Sequence, residues 1–350
     1  VKGSIQRRGE AWRLVIDIGT DPVTGKRRQL VRTVRGTKSD AQTLLNRLLV
    51  EADQGVQHGH DATVRQLLEA WLAQATLSPS TRLDYRRTID AHIATKPLAS
   101  MQVWKLRTAQ LDRLYAALAE GGLGAARIRR VHNVLRRALA QAVRWQWIAR
   151  NPAADASPPP VPRAKITPPT PDELRALLGA VDGQLRVFLY LSANLGARRG
   201  EVCALQWDDI DLDAGTVRIQ RSLVEGGPGV GIVAKGTKTA QDRLVALAPD
   251  TVHLLRSWRR ERAETALAAG VQLGPWLFGS DPAATVRPRP DSMGRRFAKA
   301  RDAAGLGHVR LHDLRHFVAT QLLGAGVDVR TVSGRLGHAL GTHKYAIAPL

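Results

Sequence analysis

The chain is short of four things, and each shortage narrows what it can be. It has one cysteine, Cys203, in 350 residues. A lone thiol can build no internal disulfide and no thiolate zinc site, which fits a reducing compartment. No stretch approaches the roughly 20 apolar residues of a membrane span, and no signal peptide opens the sequence. A cytoplasmic location without a membrane partner is therefore expected. Acid is scarce: 31 Asp and Glu stand against 52 Lys and Arg, a formal net charge of +21. A balance this basic points to a polyanion as partner. Tyrosine is scarce too, with only Tyr85, Tyr115, Tyr190 and Tyr345 available for chemistry through a phenol.

What is present suffices for about two or three domains. The 44% hydrophobic content is that of a globular chain. The positive excess is spread out, at 5, 8 and 8 charges over residues 1–60, 61–155 and 156–350. That spread is expected if every domain touches the same polyanion. A basic surface that serves only solubility is the weaker reading.

Residues 4–35 read as a small sheet. Trp12, Leu14, Ile16 and Ile18 share one face by period two, with Arg13 and Asp17 on the other. Asp21 to Gly25 is a turn, and Arg28, Arg32 and Arg35 follow on the return strand. Ser39 with Gln42 predicts a capping box, opening a helix buried through Ala41, Leu44, Leu45, Leu48 and Leu49. A three-stranded sheet backed by one helix, with arginines on its open face, is one way to enter a major groove. A small basic module that binds protein is the alternative.

Residues 61–155 read as helical. Thr63 and Gln66 cap a helix buried through Leu67, Leu68, Trp71 and Leu72, and Ser78 opens another. Leu111, Leu114, Tyr115 and Leu118 mark a third. A fourth, marked by Ile128, Val131, Leu135, Leu139 and Val143, carries Arg127, Arg129, Arg130, Arg136, Arg137 and Arg144. Acids are nearly absent along it, so ion pairing is not expected to neutralise that ridge. Phosphate contact suits it better than a merely solvated face. Seven prolines between residues 156 and 171 then mark an extended linker.

The remaining residues concentrate chemistry. Leu185 to Leu195 predicts an apolar helix ended by Gly196. Arg198 and Glu201 are three apart, so the carboxylate can hold the guanidinium; taken alone, an ordinary ion pair explains them equally well. Lys235 to Thr239 leads into the strand Arg243 to Leu247, and a lysine in a hairpin can reach over a site from a sheet edge. His312 and Arg315 project from one helical face. Arg315 can fork onto two phosphate oxygens, and a histidine can carry a proton near neutral pH. Tyr345 can attack phosphorus. Together with His338, these are the groups needed to handle a phosphodiester without a metal. His312 and His316 lack the glutamate of the zinc-protease helix, so no metal site is expected. His316 reads as structural, and Cys203 as a small core residue.

Gly196-Ala197-Arg198-Arg199-Gly200-Glu201, with Trp207 to Asp211 behind it, resembles the first box of the tyrosine recombinases, the phage-type integrases. Thr237-Lys238-Thr239, with Arg243 to Leu247 after it, resembles their catalytic lysine hairpin. His312 to His316 and Leu336-Gly337-His338 resemble the second box. The resemblance covers residues 170–345 and extends to the arm-binding and core-binding domains of mobile-element integrases. It implies a multidomain chain. Residues 1–55 would be a small α+β arm-type DNA-binding domain, a three-stranded sheet plus a helix. Residues 61–155 would be an all-α, SAM-like core-binding domain, and 156–171 a proline-rich linker. Residues 172–350 would be a mixed α+β catalytic domain.

The same resemblance implies site-specific integration or excision of a phage or other mobile element through a 3′-phosphotyrosyl intermediate. Arg198 and Arg315 would clamp the scissile phosphate, and Lys238 would protonate the leaving 5′ oxygen. His312 would assist proton removal, His338 would hydrogen-bond a phosphate oxygen, and Tyr345 would be the nucleophile. No cofactor is implied, because bond energy is conserved. The implied partners are double-stranded DNA at core and arm attachment sites, three further copies in a homotetramer, and accessory DNA-bending or directionality factors. The implied location is the nucleoid. Arg13, Arg28, Arg32, Arg129, Arg130, Arg136 and Arg137 are the candidate DNA contacts.

One departure keeps alternatives open. Tyr345 stands seven residues after His338, where the resemblance leads to nine or ten, and the sequence runs five residues further. Two or three residues amount to most of a helical turn, and catalytic geometry tolerates about 1 Å. Either a reshaped loop brings Tyr345 home, or this is an integrase-derived protein that binds DNA without recombining it. A type IB topoisomerase is a third reading, disfavoured by the arm-like domain.

Overall fold

The computed structural model describes residues 2–20, 27–53, 62–162, 166–227, 229–236 and 242–337. The expected turn at Asp21 to Gly25, Lys238, His338 and Tyr345 lie outside the described residues, as does the side chain of Arg28. The chain divides into two compact units, Val1–Arg163 and Ala164–Leu350.

The first unit opens with an antiparallel sheet of β1 (Gly3–Arg8), β2 (Ala11–Thr20) and β3 (Arg27–Arg35), in that order. Leu14, Ile16 and Leu30 are buried with Ala41, Leu45 and Leu48 of α1 (Lys38–Asp53). The register decides which way each arginine points. Leu14 pairs with Arg32, Arg13 with Thr33, and Ala11 with Arg35. Directly opposed residues share a face. Arg13 and Arg35 therefore belong to the open face, but Arg32 lies on the helix side, between Leu30 and Val34. This corrects the expectation that Arg32 stands on the open face. Its guanidinium instead lies 4.8 Å from the centre of the Trp104 ring, a cation–π distance.

The cap of α1 also differs from expectation. Thr37 N–H donates to Asp40 Oδ2 at 2.9 Å, and Asp40 N–H to Thr37 Oγ1 at 3.2 Å. The helix starts at Lys38, so the cap falls on Thr37 with Asp40 as its reciprocal partner. Gln42 bonds Asn46 instead, at 2.9 Å.

Four helices follow: α2 (Val64–Gln74), α3 (Pro79–His92), α4 (Thr108–Glu120) and α5 (Ala125–Arg144). Their starts follow local sequence. Thr63 and Gln66 form a reciprocal capping box, and Ser78 accepts from Thr81 N–H. Leu67, Leu68, Ile89, Leu111, Ile128 and Leu139 meet in one core. Each such side chain, fully buried, contributes about 2 kcal/mol of transfer free energy. That core fixes which face of α5 turns outward, and Arg127, Arg130, Arg136, Arg137 and Arg144 are exposed on it.

The second unit begins with α6 (Pro171–Gly179), α7 (Gly183–Leu195) and α8 (Arg199–Cys203). Its strands are β4 (Ile210–Asp211), β5 (Thr216–Ile219), β6 (Arg221–Glu225), β7 (Ile232–Gly236) and β8 (Arg243–Ala246). The helices α9 (Pro249–Ala268), α10 (Pro290–Ala303), α11 (Asp313–Gly324) and α12 (Val329–Leu336) complete it. The strands form two antiparallel sheets, β4-β5-β8 and the hairpin β6-β7. The described strands on either side of the lysine segment therefore do not pair with each other as a hairpin would: β7 pairs with β6 and β8 with β5. Phe188, Val202, Ile219, Leu223, Val245, Trp258, Phe278 and Leu314 lie in the core that carries the site. Cys203 is fully buried among them, and burial pushes its thiol up to about 12, so it packs as an inert small residue. Among the described residues, no helix is long and apolar enough to cross a membrane.

Candidate active site

The site forms where α7 ends, α8 begins and α12 ends. α7 stops at Gly196 in the left-handed conformation, and Arg198 caps α8 two residues later. The Arg198 main-chain N–H donates to Glu201 Oε2 at 3.0 Å, and its Nη1 to Glu201 Oε1 at 2.7 Å. The arginine side chain keeps 26% exposure while Glu201 keeps 1%. One edge of the guanidinium is thus anchored while the group still reaches solvent. Arg315, in the first turn of α11, is buried. Its Nη1 donates to the Gly196 carbonyl at 2.7 Å and its Nη2 to the Leu336 carbonyl at 2.5 Å. Arg198 Nη2 lies 3.4 Å from the Gly337 carbonyl. The two arginines, 117 positions apart in sequence, thereby converge on the Leu336–Gly337 turn.

His312 immediately precedes α11 and is exposed, with its ring edge-on to His316 at 5.3 Å between centroids. Partial desolvation, then the nearby His316 and Arg315, hold its pKa below the ordinary histidine value. A neutral imidazole at pH 7 can accept a proton. His316 is lowered mainly by desolvation, with Asp313 opposing. Asp313 is buried at the helix start and takes a fork from Arg310, with Nε at 3.0 Å and Nη2 at 2.8 Å. Burial alone would raise its pKa, but the bonds from Arg310 outweigh that and hold it low. A cleft of about 710 Å³ opens beside these residues, lined by Arg198, Arg199, Arg295, Arg301, Arg310 and His312, with Asp291 the one acid among the described residues. Such a lining suits a polyanion.

Several supporting residues escaped the sequence reading. Arg243, the first residue of β8, donates from Nη2 to Glu201 Oε2 at 2.6 Å, so Glu201 serves two arginines. Burial would raise the Glu201 pKa; the hydrogen bond and charge of Arg243, then the bonds from Arg198, prevail and hold it below the usual carboxylate range. Asp209, also buried, accepts from Gln220 Nε2 at 2.6 Å and pairs with Arg221. Arg221 faces Gly236 across the β6-β7 ladder, so this pairing pins the root of the hairpin. A Cβ at Gly200 would lie 2.5 Å from the Leu223 carbonyl oxygen, which is why α8 can press onto β6 only with glycine there.

The proposed DNA contacts of α5 divide. Arg136 and Arg137 are exposed, and Arg137 Nη1 donates to Tyr85 Oη at 2.6 Å. Arg130 pairs with Asp84 of α3, and Arg129 Nη2 lies 3.5 and 3.4 Å from the carbonyls of Pro158 and Pro159. The expectation of an un-neutralised ridge is therefore corrected at Arg130. Its acid comes from a neighbouring helix, which a count along α5 does not see.

Residues 169–345 match the phage integrase family. A XerC-like tyrosine recombinase of Caldanaerobacter subterraneus subsp. tengcongensis is 26% identical, over 94% of this chain and 90% of its own length. Among solved structures, the Tn1549 transposon integrase in complex with a circular intermediate DNA aligns with a TM-score of 0.66 and 17% identity, covering 79% of this chain and 91% of that one. A lambda integrase tetramer bound to a Holliday junction aligns with a TM-score of 0.58 and 21% identity, covering 97% of this chain and 93% of that one. The structural likenesses concern the fold, while the family match spans the residues that build the site. The chain belongs to the phage integrase family and is a tyrosine-type site-specific DNA recombinase.

Proposed function

We propose that this chain recombines the attachment sites of a phage or other mobile element, using Arg198, Lys238, His312, Arg315 and His338 on one phosphodiester and Tyr345 as nucleophile. The observation that supports it best is the convergence of Arg198 and Arg315 on the Leu336–Gly337 turn, immediately before His338 and beside a basic cleft. In the first step the Tyr345 oxygen bonds to phosphorus and the bond from phosphorus to the 5′ oxygen breaks. The tyrosine proton passes to His312, and Lys238 gives its proton to the departing oxygen. Arg198, Arg315 and His338 hold the non-bridging oxygens as charge builds. The 3′-phosphotyrosyl bond conserves the energy of the one it replaces. The 5′ hydroxyl of a partner duplex then reverses the step without ATP.

The labour is divided along the chain. Residues 1–55 engage arm sites, 61–155 close over the core site, 156–171 link, and 172–350 cut. Arg13, Arg136 and Arg137 remain the favoured DNA contacts, as exposed or half-exposed cations. Four copies act on two duplexes, with accessory factors setting direction, in association with the nucleoid. The test is a nicked suicide duplex carrying the junction sequence of the element's excised circle, with Tyr345→Phe alongside. A covalent protein–DNA band on a denaturing gel that disappears in the variant is the expected result. The seven-residue spacing between His338 and Tyr345 favours one other reading, a protein that binds without cutting. A native-gel shift with no covalent band would establish that instead, and a band surviving Tyr345→Phe would remove Tyr345 as nucleophile.

A further inference from the structure

We propose that Arg243 is a positioning residue for strand cleavage, holding Arg198 and the turn before His338 in one frame through the carboxylate they share. It rests on the reading of Arg198 as the phosphate clamp. Its side chain is 7% exposed, although it begins a strand and carries a charge. Nη2 donates to Glu201 Oε2 at 2.6 Å, and Nε to the Arg335 carbonyl at 2.9 Å. The other oxygen of Glu201 takes Arg198 Nη1 at 2.7 Å. The third nitrogen of Arg243, Nη1, is buried and donates to nothing among the described residues. It lies against Gly337, where an added Cβ would stand 2.9 Å from it. Gly337 in turn lies 3.4 Å, through its carbonyl, from Arg198 Nη2.

These contacts close a ring: Arg198, Glu201, Arg243, the Arg335–Gly337 turn, and Arg198 again. The ring joins three stretches far apart in sequence, namely the first box, the strand after the lysine segment and the approach to His338. A planar guanidinium with donors in a fixed fork can hold a carboxylate and a carbonyl at set angles. A lysine in its place keeps the charge but supplies no fork. Arg243 itself is sealed behind Glu201, so its influence on the phosphate passes through Arg198 and the turn. A misplacement of about 1 Å can cost on the order of 100-fold in rate.

The experiment uses the full chain and the nicked suicide duplex, under single turnover and across duplex concentrations. Covalent complex formation is compared for the wild type, Arg243→Gln, Arg243→Lys, Arg198→Ala and the double variant Arg198→Ala with Arg243→Gln. Native-gel affinity and thermal melting are followed in parallel. Arg243→Gln is expected to slow the limiting cleavage rate on the order of 100-fold. Half-saturation should stay within about twofold of the wild type, and in the Arg198→Ala background the same change should add no more than about threefold, because the two residues act as a unit. Arg243→Lys should fall with Arg243→Gln rather than restore the rate. If Arg243→Gln does not fold, Arg243→Lys carries the same comparison. The proposal is overturned if the limiting rate is kept, if the losses multiply independently, or if affinity falls in step with rate. It is also overturned if both variants fail to fold, since Arg243 is then a stability residue alone. A wild type that forms no covalent complex removes the underlying assignment of Arg198 as well, which separates the two failures.

Discussion

Two sets of arginines in this chain obey opposite physics. On α5, Arg127, Arg136, Arg137 and Arg144 stand in water, and Arg130 meets Asp84 at the surface. Around the active site, Arg243 and Arg315 are buried and Arg198 is held by a buried carboxylate. The exposed set acts through a field that salt screens over about 8 Å at physiological ionic strength. Each member adds little to folding stability. The buried set had to give up hydration, so every member is fixed by named partners: Glu201, and the carbonyls of Gly196, Arg335, Leu336 and Gly337. Net charge alone treats the two sets alike. Burial separates the arginines that attract DNA from those that hold geometry.

The largest expected effect tests that separation. Glu201→Ala would leave Arg243 buried without its counter-charge, a defect that costs about 3–5 kcal/mol. Replacing Arg136 by Ala on the exposed face should stay within about 0.5 kcal/mol. Urea denaturation of both variants measures the contrast, and a Glu201→Ala chain as stable as the wild type would break it.

A second test uses pH. The folded-state pKa of Glu201 lies below that of the unfolded chain. Its ionisation therefore contributes stability that is fully present above the unfolded value of about 4.3. That contribution is lost as pH falls through the lower folded value. Glu201→Gln should flatten the acid limb of the stability–pH curve, and Arg136→Ala should leave that limb unchanged. An acid limb identical in Glu201→Gln would mean that other carboxylates carry it.

Smaller effects lie on the exposed side. Arg136→Ala combined with Arg137→Ala should leave the melting temperature near that of the wild type and weaken DNA binding. The slope of log K against log[salt] should shrink by about one for each phosphate the variant no longer neutralises. An unchanged slope would take α5 off the DNA.

How far the sequence could be read follows from the range of the interactions. The capping box of Thr63 with Gln66 is local and stands as expected, and that of Thr170 with Glu173 is equally local. Ser39 and Thr37 are equally plausible caps of α1, two residues apart, and only the first turn of the helix chooses between them. Arg198 with Glu201 was legible from spacing. Arg243 was not, because its carboxylate is 42 residues away. A signal did exist, since Arg243 and Val245 alternate with Leu244 and Ala246, which puts a charge on the buried face of β8. Arg32 carried the same signal between Leu30 and Val34 on β3. A charged residue that falls in phase with a core face is a cue to look for a distant partner.

The smallest effect bears on the comparison most directly. Asp84→Asn removes the acid that faces Arg130 while keeping the side chain's size. The pair is exposed, so its loss should change folding stability by less than about 1 kcal/mol. If the α5 arginines act only through their field, removing one negative charge should strengthen DNA binding modestly. The gain should be clearest at low salt and fade near physiological ionic strength, as screening shortens its reach. Fluorescence anisotropy with a labelled duplex across a salt series would measure it. A weaker affinity in Asp84→Asn would mean that Asp84 aims Arg130 at a phosphate, as Glu201 aims Arg198. The exposed arginines would then depend on fixed partners as the buried ones do, and the division between field and geometry would have to be redrawn residue by residue.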